Sequence, residues 1–311
     1  MSVAFLCPGQ GAQSTGMLHR LSQHPIPAET ISEASHCLGI DCLELDTEES
    51  LASTVGAQLS IFIAGVAVSR VLQQATITPD LVAGLSVGAF TAASAAGALS
   101  FQNAMPLVKR RAELMARAYP KGFGLSAIVG LDERHVTQII SEVNASDSPV
   151  YIANINAPTQ IVITGSDHAM STVLARAKQD GAKLTKRLPV SVPSHCELLN
   201  SVAEELSQRL NQVEIRRPTA IYVTNRRARA THDPMQISED LATNVAYAVR
   251  WHDATTVAYE RGIRLFIELP PGSVLTGLVS AAFPDARGKS AHDIGLDRLA
   301  DVVRYLRRAQ N

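Results

Sequence analysis

Leu81-Val82-Ala83-Gly84-Leu85-Ser86-Val87-Gly88-Ala89-Phe90 is the stretch on which the fold turns. A short apolar run enters Gly-x-Ser-x-Gly and continues without a break into the Ala-rich run Ala89–Ala98. This order predicts a buried strand, a tight turn and a helix, with Ser86 at the turn. In that setting the motif is a nucleophile elbow. The strained turn presents the hydroxyl, the glycines leave room for neighbouring backbone, and the helix behind points its free N–H groups, that of Val87 first, towards the serine. Taken as five residues alone, the motif also fits a structural Gly/Ser turn.

Outward from the elbow, Val3–Cys7 and Leu81–Leu85 read as strands, and Ala28–Leu38, Ser60–Gln74 and Phe101–Ala118 as amphipathic or buried helices. The texture changes at Gly122. Gly124–Val129, Glu133–Val143, Val150–Ile155, Gln160–Gly165, Met170–Asp180 and Leu184–Leu188 read as strand, helix, two strands, helix, strand, the order of a ferredoxin-like βαββαβ unit. The earlier pattern then resumes: helix Glu197–Gln212, strand Ala220–Thr224, helices Asp240–Val245 and Ala254–Arg261, strand Leu265–Leu269. The expected architecture is α/β, with a catalytic core formed by residues 1–121 and 190–311 and a small subdomain over 122–189.

Composition narrows the function. Of 311 residues, 46% are hydrophobic and 18% charged, enough apolar side chain for an extensive core. A net charge of −1 gives no footprint for nucleic acid or an anionic membrane as partner. Leu81–Val108 carries no charge and is long enough to span a bilayer, but its Ala, Gly, Ser and Thr content favours a buried strand-turn-helix. The opening Val3–Cys7 run breaks at Pro8 and lacks a basic flank, which reads as a first strand and not as a leader. Cys7, Cys37, Cys42 and Cys196 show neither C-x-x-C nor zinc spacing, so the expectation is reduced cytoplasmic thiols and no metal site.

A serine hydroxyl needs a base. Of nine histidines, His24, His135, His168 and His232 sit in polar, surface-like contexts. His195 lies in the Pro-punctuated loop Leu188-Pro-Val-Ser-Val-Pro-Ser-His-Cys196 just before a helix, where it serves equally as a helix-start residue or a catalytic base. Cys196 beside it reads as a small buried thiol. Arg111, next to Lys109 and Arg110, reads from its residue context as one more charge on a helix face. Lys183, Lys186 and Arg187 form one basic cluster and Arg226, Arg227 and Arg229 another. Either is a solvated face or a dock for an acidic surface or phosphate groups.

The chain resembles the malonyl-coenzyme A:acyl carrier protein transacylases. The similarity lies in Phe5-Leu-Cys-Pro-Gly-Gln-Gly-Ala-Gln13, the elbow, Asn154-Ile-Asn-Ala-Pro-Thr-Gln160, Val190-Ser-Val-Pro-Ser-His-Cys196 and Pro271-Gly-Ser-Val-Leu-Thr-Gly277, in collinear order. The resemblance implies an α/β-hydrolase-like core with a ferredoxin-like insert. It implies Ser86 as nucleophile, His195 as base, the Gln10 and Val87 amides as oxyanion hole and Arg111 as the carboxylate-binding cation. The His would be oriented by a backbone carbonyl at Asn244 in place of a triad Asp. Asn154 and Asn156 would brace their loop or touch substrate. The substrate would be malonyl-coenzyme A and the partner an acyl carrier protein with a phosphopantetheine-type arm, with no cofactor bound by this chain. Leu85 stands where the family has His, and Ala89-Phe90 where it has Glu-Tyr. With Ala118-Tyr-Pro-Lys-Gly-Phe-Gly124, these departures resemble the epsilon subunit of malonate decarboxylase, which loads that enzyme's carrier subunit. The alternatives are a malonyltransferase of fatty acid or polyketide synthesis and a serine thioesterase or esterase.

Overall fold

The computed structural model describes residues 2–308, so the outermost ends of the expected core, 1 and 309–311, lie outside the described residues. In chain order its strands are β1 (Val3–Cys7), β2 (Leu81–Gly84), β3 (Phe123–Val129), β4 (Val150–Ala157), β5 (Gln160–Ser166), β6 (Leu184–Arg187), β7 (Ile221–Val223), β8 (Ala230–Thr231), β9 (Leu265–Glu268) and β10 (Arg287–Ser290). They form two sheets. The larger has the order β10-β9-β1-β2-β7-β8, parallel except for the short antiparallel edge strand β8.

Strands β1, β2 and β9 are buried along their whole length, as expected of a parallel sheet covered on both faces. The strand order reverses at β1, which has β2 on one side and β9 on the other. In open α/β sheets the crevice beyond the strand carboxyl ends at such a switch point is where ligands bind. Four loops leave the sheet there: Pro8–Gln10 after β1, Leu85–Ser86 after β2, Thr224–Asn225 after β7 and the Pro270–Pro271 loop after β9.

The uncharged stretch 81–108 folds as β2, helix Gly88–Ala95 and the start of helix Phe101–Ala118. Among the described residues one helix, Thr54–Gln74, is long and apolar enough to cross a membrane. It is buried within the core, in contact with helices Pro25–Leu38, Gly88–Ala95 and Phe101–Ala118. It starts six residues before the expected Ser60, where the Ser53 hydroxyl accepts from Gly56 N–H and caps it.

The second sheet, β4-β5-β3-β6, is antiparallel throughout. Its elements run strand, helix Glu133–Val143, two strands, helix Asp167–Gln179, strand, the order expected over 122–189. Side chains alternate across it with period two. On β5, Ile161 and Ile163 pack with Val136, Ile139, Met170 and Val173 of the two helices. Val162 between them faces the other way, towards the large sheet's crevice.

Other boundaries shift. Helix Asp240–Val245 of the sequence reading is helix Pro234–Thr243 followed by a 3-10 turn, Asn244–Ala246. Glu197–Gln212 splits into a 3-10 turn, Glu197–Leu199, and helix Asn200–Leu210.

Candidate active site

The elbow forms as expected. Ser86 has φ 59°, a left-handed conformation that a non-glycine residue holds only when its surroundings impose it. Both flanking glycines are required by close approach. A Cβ on Gly84 would lie 2.2 Å from the Gly88 carbonyl, and one on Gly88 would lie 2.1 Å from the Cys7 carbonyl oxygen. The Leu85 N–H donates to that same Cys7 oxygen at 2.9 Å, locking the turn to the end of β1. This packing sets the Pro8–Gln10 loop beside Ser86.

A cavity of about 250 Å³ opens between the sheets. Gln10, Leu85, Ser86 and His195 line its large-sheet side, and Leu125, Ala127, Asn154, Asn156, Gln160 and Val162 its small-sheet side. Val87 is the N-cap of helix Gly88–Ala95. Among the described residues neither the Gln10 nor the Val87 N–H donates to a protein acceptor. Asn154 and Asn156 each leave the side-chain oxygen without a donor.

His195 is buried and also has a positive φ, 69°. Its N–H donates to the Val245 carbonyl at 2.6 Å, and its ring Nδ1 meets the Asn244 carbonyl at 2.6 Å. A carbonyl only accepts, so the proton is on Nδ1 and Nε2 carries the free lone pair. Burial, helped by the nearby Arg111 cation and opposed by the carbonyls, pulls the imidazole down to about 4. At neutral pH it is an uncharged base. Its orienting group is a backbone oxygen and not a carboxylate.

Arg111 is not an exposed helix charge. It is 0% exposed, on the buried face of helix Phe101–Ala118. Nη1 donates to Gln58 Oε1 at 2.6 Å, and Nη2 to Ser86 Oγ at 3.1 Å and Asn244 Oδ1 at 3.1 Å. Nε and the Asn244 Nδ2 have no acceptor, and no carboxylate pairs with the guanidinium among the described residues. Burial draws Arg111 down to about 9, still a cation at neutral pH.

Three contributors escape the sequence reading: Gln58, Asn225 and Asp240. Asn225, just past β7, accepts the Ser86 N–H on Oδ1 at 3.0 Å and is itself held by Asp240. A polar residue at the carboxyl end of a central parallel strand is the signal that could have marked it. The basic clusters also change character. Arg187 donates to the Phe123, Leu125 and Val190 carbonyls and to Asp167, tying the small sheet to the loop that carries His195. Arg226 stacks over the Tyr247 ring at 3.4 Å.

A hydroxyl on a strained elbow that shares one cavity with an uncharged imidazole, with unused amide donors at Gln10 and Val87, defines an α/β enzyme of the acyl-transfer class. The sequence profile of the acyl transferase domain matches residues 4–308. The malonyl CoA-acyl carrier protein transacylase of Haemophilus influenzae is 35% identical over 298 residues, 94% of this chain and 95% of that protein. The crystal structure of the acyl-carrier-protein S-malonyltransferase of Burkholderia pseudomallei 1710b superposes with TM-score 0.91 at 36% identity, covering 97% of this chain and 100% of that one. A malonyl-transacylase solved in complex with a type II polyketide synthase acyl-carrier protein superposes at 0.92 with 33% identity, over 97% and 100% of the two chains. The chain belongs to the acyl transferase domain family, among its malonyl CoA-acyl carrier protein transacylases.

Proposed function

We propose that the chain moves a malonyl group from malonyl-coenzyme A to the phosphopantetheine-type thiol of an acyl carrier protein through an ester on Ser86. The observation that carries this reading is Arg111: a buried cation with no carboxylate partner among the described residues, which donates to the Ser86 oxygen. Leaving a charge buried and unpaired is costly, so the site is built for an anion. An ester on Ser86 Oγ ends, three carbons on, in a free carboxylate within reach of that guanidinium. Acetyl has nothing to offer it.

The steps use this chain's own groups. His195 Nε2 takes the Ser86 proton as Oγ attacks the thioester carbonyl. The oxyanion lies between the Gln10 and Val87 amides, each worth ~3 kcal/mol in comparable sites. The C–S bond breaks, and His195 returns its proton to the departing thiolate. The carrier thiol then gives a proton to His195, attacks the ester and leaves with malonyl, restoring the Ser86 hydroxyl. The unpaired oxygens of Asn154 and Asn156 suit amide N–H groups of a pantetheine arm, in place of merely bracing their loop. We read the parallel sheet as an α/β-hydrolase-like core, 1–121 and 190–311, and residues 122–189 as a ferredoxin-like insert roofing the site.

A general carrier-loading role, as in fatty acid or polyketide synthesis, is better supported than a malonate decarboxylase subunit. The relatives are described as malonyl transacylases or malonyltransferases. Of the departures that suggested the decarboxylase, Ala89 and Phe90 are buried in the core, and Leu85 alone lines the cavity. A serine esterase leaves Arg111 without a purpose. Incubation with malonyl-coenzyme A and a holo-carrier should give malonyl-carrier in large excess over free malonate; hydrolysis as the main outcome would return the esterase reading.

A further inference from the structure

The Ser86 N–H is turned onto Asn225 Oδ1, at 3.0 Å, within buried structure. Asn225 is fixed in turn. Its Nδ2 donates to Asp240 Oδ2 at 3.0 Å and its backbone N–H to Asp240 Oδ1 at 2.7 Å, while the Tyr222 hydroxyl donates to Oδ2 at 2.7 Å. The carboxamide cannot be reversed. Exchanging its oxygen and nitrogen would set donor against donor at Ser86 and acceptor against carboxylate at Asp240.

Asp240 lies four residues before Asn244, one turn along the helix Pro234–Thr243 and its 3-10 continuation. The Asn244 carbonyl orients the His195 ring, and the Asn244 side chain holds Arg111. One helix end therefore grips the base and the cation directly, and the nucleophile through Asn225. Resting on the reading of Ser86 as nucleophile, we infer that Asn225 and Asp240 are positioning residues that hold Ser86 in its left-handed turn, in register with His195. Without the Asn225 oxygen, the buried Ser86 N–H loses its acceptor and the turn loses one of the contacts that oppose its relaxation. The hydroxyl then swings away from Nε2 and from the amides that receive the oxyanion.

The test is single-turnover acylation of the full chain by excess malonyl-coenzyme A without carrier, quenched and read by mass spectrometry. Burst amplitude counts folded, competent enzyme; the rate constant reports placement of Oγ. Absence of a Ser86 adduct in the unaltered protein would remove the nucleophile and the inference together. With that adduct present, Asn225→Ala should keep its amplitude while the rate constant falls on the order of 10- to 100-fold. Half-saturation should stay within about twofold, because substrate contacts are untouched. Asn225→Asp faces two carboxylates towards each other and should also be slow. Adding Asp240→Asn restores a donor opposite an acceptor and should recover about tenfold. An Asn225→Ala variant that loses amplitude at an unchanged rate constant reduces the pair to fold support, and N225D/D240N showing no recovery over N225D overturns the inference as well.

Discussion

Arg111 shows how far a side chain's meaning depends on what is folded around it. In the sequence it is the third member of a Lys-Arg-Arg run, and only the family resemblance gave it a role. In the structure Lys109 and Arg110 are partly exposed while Arg111 is sealed against Gln58, Ser86 and Asn244. Arg111→Ala should lower malonyl transfer by roughly 10- to 100-fold, the loss of a charge-assisted contact. Acetyl transfer should improve relative to malonyl. An unchanged malonyl-over-acetyl ratio in a competition assay would take Arg111 out of the site. His195 gives a second expectation. With its pKa near 4 in the folded free enzyme, the imidazole stays neutral well below the ordinary histidine range. Acylation measured as kcat/KM should therefore hold level as pH falls past 6.5 and decline only towards about 4. An acid limb centred at 6.5 would contradict the burial that causes the shift. Arg111→Ala removes the second cause of that shift and should move the limb upward.

Elements were legible where a local pattern announces them. The elbow, the Pro8–Gln10 loop and the βαββαβ order were readable because glycine spacing and hydrophobic period mark turns and faces within a few residues. Asn225 and Asp240 were not, because their significance is a contact with a residue far away in the chain. The helix that carries Asp240 was placed too late, at Asp240–Val245, although Asp233 caps its true start by accepting from Met235 N–H, with Pro234 behind it. The glycines of the elbow give the prediction here. Gly88→Ala drives a methyl into the Cys7 carbonyl where β1, β2 and helix Gly88–Ala95 meet. Backbone has to move, at about 1–3 kcal/mol or more for overpacking. Calorimetry should show a lowered Tm together with loss of acylation. A variant with unaltered Tm and rate would mean that the turn is looser than its geometry.

The two sheets act as one object because β6 leads straight back into the loop bearing His195, and Arg187 stitches that join. The layered α/β character was readable. The far edge was not: β10, Arg-Gly-Lys-Ser, is a strand without apolar alternation, defined by pairing with β9. The closing helix Leu296–Arg308, with Leu299, Val303 and Leu306 buried at helical spacing, was readable and went unread. Arg187→Met should cost about 1–2 kcal/mol through lost charge-assisted hydrogen bonds, less where solvent screens them. Hydrogen exchange should rise over residues 188–196 and stay unchanged in β1, β2 and β9; uniform exchange would deny the join its role. Beneath all of this lies the proposal that a hydroxyl from one loop and an imidazole from another, both lining one cavity, work together. The most direct measurement is peptide mapping by mass spectrometry after brief exposure to malonyl-coenzyme A, with Ser86→Ala and His195→Ala alongside. One malonyl group on Ser86, absent from the first variant and strongly slowed in the second, is the expected result. A malonyl group on any other residue, or one that forms as fast without His195, would contradict it.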